Sequence, residues 1–112
     1  EQVLRDIASE MLGQLGYRVD AVSSGEAAVE YVKIKKTDLL LIDMLMEPGI
    51  NGRETFQKIQ RIHPAIKALI VSGYSEDEDV QETLRAGARG FVQKPYLMSR
   101  LGQAVKDALL KR

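Results

Sequence analysis

The chain has 112 residues, 45% hydrophobic and 29% charged, which suits one compact domain and is too apolar for a disordered segment. Lysine plus arginine and aspartate plus glutamate both number 16, and this zero formal charge argues against a nucleic-acid or anionic-membrane partner. With no cysteine, a disulfide framework and a thiolate metal site are excluded. The cysteine-free composition fits a reducing cytoplasm, the expected location.

Val3, Leu4, Ile7, Ala8, Met11, Leu12 and Leu15 fall at helical spacing on one face. Gly16 then stops the helix, as glycine does just past a C-terminus. Residues 17–22 read as a short strand, and Ser23, Ser24 and Glu26 as the cap of a second helix bearing Ala27, Ala28, Tyr31 and Val32. LLLID at 39–43 is apolar on both faces, as in a covered parallel strand. A loop at 44–51 leads to a helix with Phe56, Ile59 and Ile62 inward, ended near His63 and Pro64. ALIVS at 68–72 is another buried strand.

Acidic residues at 76–79 open the next helix, where they suit the positive end of its dipole, and Gly87 closes it. GFVQ at 90–93 is the last strand. Leu97, Leu101, Ala104, Val105, Ala108 and Leu109 form the inner stripe of the final helix. A helix followed by four strand–helix units predicts a doubly wound α/β domain over 1–112, with a parallel sheet covered on both faces.

Three strand ends carry polar groups that a strand does not require: Asp43, Ser72, and Lys94 directly after the last strand. Parallel strands bring these ends to one edge, where open α/β sheets place their ligands. A carboxylate there can act as a nucleophile and form an aspartyl phosphate, whose charge an ammonium and a hydroxyl can stabilise. Gly73 leaves room beside the backbone, and Pro95 fixes the chain after Lys94. Taken singly, an aspartate at a strand end is a turn or cap residue, and Lys-Pro starts a helix. Their order on successive strand ends is the signal.

At these residues the chain resembles the response-regulator receiver family, a flavodoxin-like (βα)5 fold, over nearly its whole length. The matching pieces are LLLID with Asp43, the loop with Met46, Pro48 and Gly52, IVSG with Ser72 and Gly73, and AGARGFVQKP from 86 to 95. The resemblance implies that Asp43 accepts a phosphoryl group from a phosphohistidine, with Mg²⁺ bridging carboxylate and phosphoryl oxygens. It further implies a metal-facing backbone carbonyl at Leu45, phosphoryl contacts from Ser72 and Lys94, and an aromatic switch at Phe91. A histidine kinase or phosphotransfer domain is the implied partner, and the last two helices with the strand between them are the implied output and homodimer surface.

Two departures stand out. Glu47 precedes Pro48 as an apparent insertion, and that loop, with SGYS and KPY, is similar to receivers of hybrid sensor histidine kinases. The family also opens with a central strand ending in two metal-binding acids. By alignment on Gly16 and Tyr17, that pair falls just before Glu1, so an acidic pair and a strand are expected upstream.

Two other functional classes fit parts of this pattern. An aspartyl-phosphate-forming α/β hydrolase would carry a second aspartate two residues after the first, where Leu45 stands. A receiver-like interaction module without phosphotransfer has no need of Asp43, Ser72 and Lys94 together. His63, the single histidine, reads as a solvent-facing helix end.

Overall fold

The computed structural model describes residues 2–22, 24–44, 51–73, 78–94 and 96–110, with side chains from Ala8 onward. In chain order it forms α1 (Gln2–Gln14), α2 (Gly25–Ile34), β1 (Leu40–Asp43), α3 (Gly52–Ile62), β2 (Ala68–Ser72), α4 (Glu78–Arg85), β3 (Gly90–Gln93) and α5 (Met98–Leu110). The strands pair in parallel in the order β1-β2-β3.

Strand alternation sorts the core into two layers. Ile42, Ala68 and Ile70 face Val32 of α2, Phe56 and Ile59 of α3, and Val80 of α4. Leu69, Val71 and Val92 face the opposite way, onto Ala8 and Leu12 of α1 and Leu101 and Val105 of α5. Every residue of β2 is buried, as befits the central strand of the three. The continuous apolar runs read from the sequence are thus explained by helices on both faces.

The helix ends follow local chemistry. Ser24 Oγ accepts from Ala27 N at 3.0 Å and caps α2. Asn51 and Glu54 form a reciprocal capping box at the start of α3. Gly16 (φ 96°) and Gly87 (φ 124°) take the left-handed conformation just past α1 and α4, which only glycine adopts without strain.

Four expectations need correction. Residues 17–22 are not a strand: a strand needs a ladder partner, and this segment borders a cleft of about 1340 Å³ rather than the edge of β1. Leu15, Ile62 and Leu97, expected inward, are exposed, at 48%, 40% and 71%. Leu15 lies beyond the end of α1, Ile62 is the last residue of α3, and Leu97 precedes the first turn of α5. Helical spacing continued past a terminus no longer marks a buried face.

Candidate functional site

The register fixes which groups meet at the carboxyl rim of the sheet. Asp43 pairs with Val71, and Ser72 pairs with Gln93. The ladder closes with Met44 N donating to Val71 O at 3.0 Å and Lys94 N donating to Ser72 O at 2.9 Å. Asp43, Ser72 and Lys94 therefore end three adjacent strands at one edge. Asp43 and Lys94 continue the alternation of Leu41 and Val92, which belong to the layer under α1 and α5.

That shared side lets the two charges join across β2. Lys94 Nζ donates to Asp43 Oδ2 at 2.5 Å, with side chains 20% and 29% exposed. The pair is half-buried, so the ammonium holds the carboxylate in place while part of it still meets solvent. Ser72 lies between them in the sheet and is buried. Gly73 follows it with open space around its α-carbon. Chemically, the rim offers a nucleophilic oxygen, a cation and a hydroxyl group, a set suited to receiving and holding a tetrahedral anion.

Phe91 is half-buried on β3 and packs against the layer that contains Val80 of α4. Leu45, Glu47 and Pro95 lie outside the described residues. So do the first two residues of the acidic run at 76–79, whose remainder begins α4 at Glu78. His63 is exposed at the C-cap of α3, away from the rim.

The sequence reading quotes Tyr96 within KPY but gives it no role at the rim. Its ring packs with the α1–α5 layer and borders the same cleft as Asp43 and Lys94. Burial first, and then the negative charge of Asp43, push its phenol above the usual tyrosine range. The signal was available, since Tyr96 is two residues beyond Lys94.

For a hard cation such as Mg²⁺ the donor chemistry is partly present. Asp43 offers a carboxylate at the rim, whereas no group of three His, Cys, Asp or Glu side chains able to hold a metal occurs among the described residues. Mg²⁺ takes one or two carboxylates and completes its shell with water and phosphate oxygens, so Asp43 fits as one donor of several.

The family model of the response regulator receiver domain matches residues 1–106. The chemotaxis protein CheY of Thermotoga maritima is 31% identical over 103 residues, covering 91% of this chain and 85% of that protein. A cyclic di-GMP phosphodiesterase of the same organism is 32% identical over 111 residues, covering 96% of this chain; the chain spans only 29% of that relative. In structure, the receiver domain of NtrX from Brucella abortus superposes with a TM-score of 0.93 at 22% identity, covering 100% of this chain and 94% of that one. By its matched length and its fold, the chain belongs to the response regulator receiver domain family.

Proposed function

We propose that this domain receives a phosphoryl group on Asp43 in a two-component relay and passes the event on as a conformational change. The single observation that carries the assignment of Asp43 is its 2.5 Å contact with Lys94 at the carboxyl rim of the sheet. Membership of the receiver family supports the relay role and favours it over the hydrolase and the phosphate-free interaction module. The donor is the phosphohistidine of a histidine kinase or phosphotransfer domain. An Asp43 oxygen attacks phosphorus, the P–N bond breaks, and the imidazole leaves with the electron pair and takes a proton from water. Lys94 then pairs with the new dianion and Ser72 donates to another of its oxygens.

Receivers bind Mg²⁺, and in this chain Asp43 is the donor at the described rim. The carbonyl of Leu45 and an acidic pair upstream of Glu1 are proposed to supply the rest. The metal offsets phosphate charge when bound. Phe91 is proposed as the aromatic that follows Ser72 during switching, which its packing on the α4 side supports. The last two helices with β3 are the proposed homodimer and output surface. A cytoplasmic location is proposed with these partners; no helix among the described residues is long and apolar enough to cross a membrane.

The domain is further proposed to include a strand N-terminal to α1. Among the described residues β1 pairs only with β2, and its other edge borders the cleft. Val32, Ile59 and Ile66 line that cleft on one face, and Ala8, Leu12 and Val105 on the other. A guest apolar on both sides, such as a central parallel strand, suits these walls.

The test is intact-mass measurement on the full-length protein after treatment with acetyl phosphate and Mg²⁺. One acid-labile phosphate in the wild type and none in Asp43→Ala is expected. Equal uptake by both proteins rejects Asp43 as acceptor.

A further inference from the structure

The strands β1 and β2 end at the rim. The helices that follow them are tied to each other at both ends. At the start, Arg53 Nε donates to Asp79 Oδ1 at 2.8 Å, joining the first turn of α3 to the first turn of α4. At the far end, Gln60 Nε2 donates to Ala86 O at 2.8 Å, just past α4. Between them Phe56 and Ile59 share a core layer with Val80.

The first of these ties begins next to the acceptor. A Cβ on Gly52 would stand 2.9 Å from Met44 Cα and 3.0 Å from Asp43 O, so the first residue of α3 rests on the acceptor's own backbone. Arg53 is the next residue. Its partner Asp79 is at the second position of α4, and Thr83 Oγ1 returns to Asp79 O at 2.6 Å within that helix. The chain of contacts runs from the Asp43 backbone through Gly52 and Arg53 to Asp79 and α4.

The helix at its end is poorly able to hold itself. Among the described residues α4 spans 8, fewer than an isolated helix needs, so contacts outside it set its position. Val80 and Thr83 are its buried side chains. The polar ties consequently weigh more for α4 than for a long helix. Asp79 most strongly, then Glu82 and Glu54, hold the Arg53 guanidinium in its charged form against the opposing effect of desolvation.

We propose that Arg53 and Asp79 form a latch that positions α4 and couples it to the backbone of Asp43. Arg53 is a positioning residue: it acts on the output helix through Asp79 and leaves the chemistry at Asp43 to other groups. The latch rests on the receiver reading for its biological meaning, but not for its mechanical test.

That test is amide hydrogen exchange across 78–85 in the natural chain, with and without beryllofluoride and Mg²⁺ as a phosphoryl mimic. Arg53→Ala, Asp79→Ala and the double variant are compared with wild type. Each single change is expected to raise exchange of α4 in the mimic-free protein by about two- to fivefold, as loss of a partly exposed pair implies. The double variant is expected to match the singles rather than their product, and Arg53→Lys to restore part of the protection. The mimic-induced change in α4 is expected to shrink in all the alanine variants, while Gln60→Ala keeps it. Unchanged α4 protection in folded single variants, or multiplying effects in the double, overturns the latch. Failure of the wild type to bind the mimic, with the variant effects intact, counts against the phosphoacceptor reading and leaves the latch standing.

Discussion

Lys94 Nζ lies 2.5 Å from Asp43 Oδ2 although 51 residues separate them in sequence. The parallel sheet makes this approach: β2 separates the two strands, and the two side chains leave its α1–α5 side at the same rim. A pair so placed stabilises the folded chain little, because both groups keep water contact. On the proposed reading its value lies in chemistry, since the ammonium is already where phosphoryl charge would develop.

Lys94→Ala is therefore expected to separate stability from function. Urea denaturation should shift by about 1 kcal/mol or less. Phosphoryl uptake, followed by intact mass over time, should slow on the order of 10²-fold, the usual cost of removing one well-placed charge-stabilising donor. Wild-type uptake together with a wild-type conformational response would remove Lys94 from the mechanism.

Gly52→Ala should do the reverse and damage the framework. The added methyl meets Met44 Sδ at 2.8 Å, a flexible atom, but also Met44 Cα at 2.9 Å and Asp43 O at 3.0 Å, which are backbone. Helix α3 has to move away or β1 has to shift, at about 1–3 kcal/mol by analogy with other overpacked sites. Because Asp43 is part of what moves, a loss of phosphoryl uptake should accompany the loss of stability in urea.

Asn51 tests how α3 is started. Its Oδ1 accepts from Glu54 N at 2.9 Å, and Glu54 Oε1 accepts from Asn51 N at 3.2 Å. Asn51→Ala removes one half of that box and is expected to cost about 0.5–2 kcal/mol, while Asn51→Asp keeps the acceptor and should be nearly neutral. Denaturation midpoints of the two variants, measured side by side, decide the matter; equal losses would mean that the side chain acts other than as a cap.

Much of this was written locally in the sequence. LLLID and ALIVS mark covered strands because apolar residues on both faces have few other uses, and β2 was found at its predicted bounds. Asp43, Ser72 and Lys94 were legible as a set because strand ends in a parallel sheet share an edge. The failures cluster where a partner is remote. Residues 17–22 have strand composition, but a strand is a pairing, and composition cannot supply the neighbour. Leu15, Ile62 and Leu97 were misplaced because helical spacing says nothing about where a helix ends. Arg53 and Asp79, 26 residues apart on different helices, leave no local pattern at all.

Tyr96 gives a pH dependence whose sign can be worked out. Burial and the Asp43 charge raise its phenol above the ordinary value of 10.0, so the fold favours the protonated ring. A group raised in the folded state stabilises fully below its unfolded value and loses that contribution as pH climbs through the folded one. The wild type should thus lose stability above about pH 10 through this ring, and Tyr96→Phe should lack that component. The stability difference between the two proteins is expected to be constant from about pH 7 to 9 and to move in the variant's favour above pH 10. Adding Asp43→Asn removes the charge contribution but not the burial, so tyrosinate absorbance should then show a smaller upward displacement for Tyr96. A stability difference that stays flat through the alkaline range would show that the phenol titrates alike in folded and unfolded chains, and that its place beside Asp43 carries no electrostatic weight.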